Sequence, residues 1–172
     1  MTRSIVVEGP DGSGKSTLVA RLSKDLDMVV HHTGGPTLSR QELDDRCRRV
    51  VWVAKLAPTI FDRVPFISEP VYKRARGEPM FLPVELLHLR LARMNPVLVF
   101  CQGQSGETIS GAPKAHKPAE HLARVKETFP IILEGYDQQM KILRKEGFTI
   151  LLYDWTRDDY DDFLKAVLLC VG

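Results

Sequence analysis

The chain has 172 residues, 44% of them hydrophobic and 27% charged, with a formal net charge of +2. That composition suits one soluble globular domain with a sizeable core and excludes a general nucleic-acid binder, so any basic surface must be local. No apolar run reaches membrane-spanning length, and Arg3 leads directly into the first strand and not into a cleavable apolar segment, so a cytoplasmic protein is expected. Cys47, Cys101 and Cys170 are widely spaced and odd in number, which argues for reduced buried thiols and against a disulfide framework or zinc site.

The first strand spans about Arg3 to Glu8, and helix one runs from about Gly14 to Leu26 with Leu18, Val19, Leu22 and Leu26 on one face. Between them, Gly9-Pro10-Asp11-Gly12-Ser13-Gly14-Lys15-Ser16 fits G-x-x-x-x-G-K-[ST], and Thr17 follows. Glycines let the backbone turn its N–H groups inward to form an anion-binding hollow, and the helix start adds the positive end of its dipole. In such a loop Lys15 reaches the β- and γ-phosphates of a nucleotide and the Ser16 hydroxyl ligates Mg²⁺, so ATP and Mg²⁺ are the implied cofactors.

A short strand at Met28 to His32 comes next; His31 and His32 are adjacent and point to opposite faces, which does not suit a shared metal. Thr33-Gly34-Gly35-Pro36 is a loop. Helix two spans about Arg40 to Leu56, with Ser39 as N-cap and Glu42 completing a capping box; its Arg46, Arg48 and Arg49 read as a solvated face. Strand three, Thr59 to Asp62, leads into Arg63-Val64-Pro65-Phe66-Ile67-Ser68-Glu69-Pro70-Val71-Tyr72, the second stretch that carries chemistry. Ligands of a parallel sheet bind beyond the carboxyl ends of the strands. There Asp62 can hold Mg²⁺ through water and Arg63 can clamp a phosphate.

Glu8-Gly9-Pro10-Asp11-Gly12-Ser13-Gly14-Lys15-Ser16-Thr17 resembles the phosphate loop of the thymidylate kinase family, and Asp62-Arg63 resembles that family's D-R motif. Ser68-Glu69-Pro70-Val71-Tyr72 and Tyr153-Asp154-Trp155-Thr156 are similar to stretches of the divergent bacteriophage members. The resemblance implies that Asp11 contacts the acceptor's sugar, Arg63 holds its phosphate, Asp62 lies near the metal, and Ser68, Glu69 and Tyr72 line the acceptor pocket. It also implies a nucleotide acceptor, a pyrimidine among the candidates, and a homodimer. Phage members commonly continue the fourth strand with Cys-Arg-Pro-Pro, whereas this chain has Cys101-Gln102-Gly103-Gln104, so that arginine has no counterpart here.

Lys73 to Pro79 is basic and ends in a turn; Pro83 can start a helix that covers Val84 to Met94, and Asn95-Pro96 breaks it. Pro96 to Cys101 suits a central parallel strand. Gln104 to Pro118 is aperiodic and falls where nucleoside monophosphate kinases carry a lid, with Lys114, His116, Lys117 or the following Arg124 as candidate lid cations. Ala119 to Glu146 forms one long helix, Phe148 to Asp154 the last strand, and Arg157 to Cys170 a closing helix. Phe163, Val167, Leu168 and Cys170 are expected to pack on the sheet, and Asp158, Asp159, Asp161 and Asp162 suit the dipole at the helix start.

These elements predict a single domain over residues 1–172, α/β, doubly wound, with a five-stranded parallel sheet of the P-loop NTPase and nucleoside monophosphate kinase type. Three functions remain open. The first is a deoxynucleoside monophosphate kinase using ATP. The second is a kinase that phosphorylates the hydroxyl of 5-hydroxymethyluracil in DNA, with Asp11, Asp62 or Glu69 as base and Arg63, Lys73, Arg74, Arg76, Lys114 and Lys117 along the backbone. The third is a non-catalytic nucleotide-binding protein.

Overall fold

The computed structural model describes residues 3–102 and 119–172. Five parallel strands, β1 (Ile5–Glu8), β2 (Val29–His32), β3 (Thr59–Asp62), β4 (Val97–Cys101) and β5 (Ile150–Tyr153), form one sheet in the order β2-β3-β1-β4-β5. β1 is therefore central, flanked by β3 and β4, and its carboxyl end is the point where the chain's connections diverge to either side. That is where a doubly wound sheet opens a crevice.

Strand alternation sorts the core into two layers. Val6, Phe61, Leu98 and Phe100 face one side, against α2 (Arg40–Leu56), α3 (Pro65–Arg76), α4 (Val84–Ala92) and α5 (Ala119–Lys145). Ile5, Val7, Ile60, Val97 and Val99 face the other, against α1 (Lys15–Leu26) and α6 (Tyr160–Val171). β1, β3 and β4 are buried through nearly their whole length, as strands covered on both faces must be. Among the described residues, no helix is long and apolar enough to cross a membrane.

The helix ends follow local chemistry. Ser39 Oγ accepts the Glu42 N–H at 3.1 Å, and the Glu42 carboxylate reaches back to the Leu38 N–H at 2.8 Å, one residue earlier than a standard capping box. Asp159 caps α6 by accepting the N–H groups of Asp161 and Asp162. Gly147, at φ 88°, follows α5.

Four sequence expectations need correction. The stretch after Arg63 is a helix: Pro65 occupies its first turn and Gly77 its left-handed C-cap, with Pro70 inside. Arg46 is not on a solvated face; it donates to Gly35 O and to Glu42 Oε1, the latter at 2.7 Å, and so ties the loop after β2 to α2. Leu168 is half exposed and Cys170 only partly buried, because Phe163, Val167 and Val171 already fill the sheet-facing stripe of α6. Residues 148, 149 and 154 lie outside β5, and α6 begins at Tyr160. Cys47 and Cys101 are buried, as expected. The lid expected over Gln104 to Pro118 lies outside the described residues.

Candidate active site

The phosphate loop sits where β1 ends. Gly9 adopts φ 143° and packs so closely on β4 that an added Cβ would lie 2.4 Å from the Cys101 carbonyl oxygen. Gly14, at φ 81°, is the N-cap of α1 and makes no side-chain cap, so the first-turn N–H groups are not claimed by a capping side chain. A Cβ there would meet Trp155 Cδ1 at 2.8 Å, which shows that the indole from the β5–α6 connection lies against the loop. Asp11, Gly12, Ser16 and Thr17 are exposed. Ser13 Oγ donates to Pro10 O at 2.9 Å and braces the loop from within.

Lys15 is buried and folds back on its own loop, donating to Pro10 O and lying 3.4 Å from Ser13 Oγ. Burial, and then repulsion from Arg63, lower its pKa to about 8. An anion in the loop would restore the ammonium's preference for its proton.

Arg63 is the hinge of the site. It has φ 65°, a left-handed conformation that costs a non-glycine residue about 1 kcal/mol or more. Two hydrogen bonds hold it there: Arg63 N–H donates to Val7 O at 3.0 Å, and the next N–H, that of Val64, donates to Glu8 Oε1 at 2.7 Å. The turn aims the guanidinium at the phosphate loop. Its Nη2 lies 2.5 Å from Asp11 Oδ1, 2.9 Å from the Tyr72 hydroxyl and 3.4 Å from Gly9 O. Its Nε is buried and, among the described residues, has no hydrogen-bond partner.

Glu8 and Tyr136 complete this network and were not singled out in the sequence. The Tyr136 hydroxyl, from α5, donates to Glu8 Oε2 at 3.0 Å, and its ring packs on Phe100 and Tyr72. Burial raises the Glu8 carboxyl from its ordinary 4.5 to about 7, against the opposing pulls of the Val64 N–H, Arg63, Tyr136 and Lys15.

A cavity of about 470 Å³ opens from this point, between α3 and the loop after β2. Asp11, Arg63, Ser68, Glu69 and Tyr72 all line it, so the structure brings the expected acceptor residues together. The helical register of α3 puts residues 68, 69, 72 and 76 on one face. Ser68 Oγ, however, donates to Val64 O at 2.9 Å, inside its own helix. Asp62 stands apart from this cavity, on the α1 side of the sheet with Ile60, and its Oδ2 lies 3.1 Å from His32 Nδ1.

No group of three or more His, Cys, Asp or Glu among the described residues could hold a metal by itself. Mg²⁺ does not need such a group, since it keeps several waters and binds through substrate phosphates and one or two protein oxygens; of the two residues expected for it, Ser16 is exposed on the loop and Asp62 is engaged with His32. The basic strip expected along α3 is interrupted. Lys73 is buried, 3.2 Å from Glu78 Oε2 and 3.8 Å from Glu69 Oε1, and Arg76 is held by Glu78. Lys114 and Lys117 lie outside the described residues.

Fold and loop together define the class: a doubly wound α/β domain of the P-loop kinase fold. No family model matches the chain, and no curated protein matches it in sequence. Solved structures do. The YorR protein from Bacillus subtilis, in complex with phosphorylated GDP, superposes with a TM-score of 0.71 at 21% identity over 97% of this chain and 94% of its own. Deoxyadenosine kinase from M. mycoides with bound dATP superposes with a TM-score of 0.60 at 15% identity, over 97% and 99% of the two chains. The same enzyme with products dCMP and a flexible dCDP gives 0.63 at 15% identity, over 96% and 97%. At these identities the likeness establishes a shared fold.

Proposed function

We propose that the protein is an ATP-dependent deoxynucleoside monophosphate kinase. The observation that carries this reading is Arg63, held in a left-handed turn so that its guanidinium joins the phosphate loop at Asp11 to the acceptor-side helix at Tyr72. A cation at that junction is where an acceptor phosphate would need one. The nucleotides bound by the fold neighbours support a nucleotide ligand in general.

The phosphate loop and Lys15 would bind the triphosphate of ATP, and Ser16 with Asp62 would hold Mg²⁺, which neutralises charge on the phosphates when bound. Arg63 would orient the acceptor phosphate. An ionised phosphate oxygen attacks the γ-phosphorus, the bond to the β–γ bridging oxygen breaks, and ADP leaves with that electron pair. No proton needs to be removed from the nucleophile, so the step rests on positioning and charge neutralisation.

A hydroxyl acceptor would need a general base, and the candidates beside the phosphate loop and at the end of β3 already have partners, while Glu69 is held on one oxygen. Asp11 is paired with Arg63, Asp62 with His32, and Glu69 with Thr37 and Lys73. The buried Lys73 also removes one cation from a DNA-binding strip.

The test is transfer of labelled γ-phosphate from MgATP to a panel of deoxynucleoside monophosphates, beside DNA carrying 5-hydroxymethyluracil. Label on a free monophosphate is expected, and Lys15→Ala or Arg63→Ala should lower turnover about a hundredfold or more. Label on the modified DNA alone, or near-normal turnover in either variant, would overturn the reading.

A further inference from the structure

The two ends of the acceptor cavity differ in chemistry. The end at the phosphate loop carries Arg63, whereas further along α3 the wall is formed by Glu69, Ala75, Arg76 and Glu78. Glu69 lines the cavity although only 5% of its surface is exposed. Two groups hold it, and both are on the same oxygen: the buried Thr37 hydroxyl donates to Oε1, and Lys73 Nζ lies 3.8 Å from Oε1. Among the described residues, Oε2 accepts no hydrogen bond. Glu78 is different: Lys73 lies 3.2 Å from its Oε2, and Arg76 reaches both of its oxygens at 2.7 and 3.2 Å. Glu69 therefore presents to the cavity a carboxylate that is held from behind and has its second oxygen open to whatever fills the space.

A carboxylate oxygen is an acceptor only, so a ligand that fills the cavity and displaces its water must bring an N–H or O–H to it or leave it unpaired. Among nucleobases, cytosine, adenine and guanine carry an exocyclic amino group, which a Glu side chain accepts well; uracil and thymine place a carbonyl oxygen where cytosine has its amino group. A carbonyl facing Glu69 Oε2 would set two acceptors against each other. We infer that Glu69 is the residue that selects the acceptor's base, taking an amino-bearing base in preference to uracil or thymine. This rests on the nucleotide-acceptor reading above. Thr37 and Lys73 act as positioning residues, since they fix the carboxylate from behind.

The experiment compares acceptors that differ only at the group in question: dCMP with dUMP, and dGMP with dIMP. Each is measured by transfer from MgATP and, separately, by calorimetric binding without ATP. The unmodified protein should favour the amino-bearing member of at least one pair by about tenfold to a hundredfold. In Glu69→Gln, whose amide can still accept from Thr37, that ratio should fall to within about threefold. Because the paired acceptors are compared on the unmodified protein first, the result stands even if the variant fails to fold. Transfer without discrimination, or discrimination that survives in a folded Glu69→Gln, overturns the role of Glu69 and leaves the kinase reading intact. Discrimination in binding without transfer overturns the kinase reading and keeps Glu69. Neither binding nor transfer overturns both.

Discussion

Glu8→Gln tests whether the buried carboxyl under the Arg63 turn behaves as its surroundings require. Burial raises this carboxyl from 4.5 to about 7, so the folded protein binds its proton more tightly than the unfolded chain does. For an acid shifted this way, the stabilising contribution is fully present below pH 4.5 and is lost as pH rises through 7. At about 1.4 kcal/mol per pH unit, the interval between the two values is worth about 3 kcal/mol. Glutamine keeps one oxygen for the Val64 N–H and does not titrate. Urea unfolding of both proteins at pH 4.5, 6, 7 and 8 gives the comparison. The unmodified protein's stability, measured relative to Glu8→Gln, should fall by about 3 kcal/mol across that range and level off above pH 7. In thermal scans the same loss is a relative drop of about 6–12 °C for a chain of this size. Parallel stability curves would show that Glu8 is solvated or otherwise compensated, and would refute the reasoning.

Gly9→Ala should lose about 2 kcal/mol or more, because the new Cβ collides with the Cys101 carbonyl at a φ that alanine also disfavours; unfolding in urea checks it, and an unchanged midpoint would mean that β4 and the loop can separate freely. Tyr136→Phe keeps the ring contacts with Phe100 and Tyr72 but removes the hydroxyl that donates to Glu8. It should cost about 1–3 kcal/mol above pH 7 and less at acid pH. Because that hydroxyl lowers the Glu8 pKa, an NMR titration should find the Glu8 carboxyl shifted further up in the variant.

The phosphate loop, Ser39 as N-cap and the bounds of α2 and β3 were legible in the sequence because each is written in a few consecutive residues. The five-stranded parallel sheet followed from the alternation of apolar runs with helical stripes. α3 was not assigned in the sequence: Pro65 and Gly77 are its start and stop signals, but Pro70 sits inside it, and packing against α4 and α5 carries the helix through that proline. Glu8 looked like the polar end of a strand and Tyr136 like one more residue of a core stripe. Their bond joins positions 128 apart in sequence, which no local pattern encodes. The Glu69–Lys73 pair had a usable signal, the i,i+4 spacing, but only once the segment is known to be helical. Lys73 was read as exposed because a lysine in a basic run usually is, and here two carboxylates draw it inside.

The indole of Trp155 against Gly14 gives this protein a built-in optical probe. The chain has two tryptophans, and the other, Trp52, stands exposed on α2, away from the loop. Trp155 is itself half exposed, so its emission responds to whatever changes the water and charge at the mouth of the phosphate loop. With Trp52 replaced by phenylalanine, fluorescence would report a single place in the molecule, and nucleotide occupancy could be followed in real time with no label attached to either the protein or its ligand.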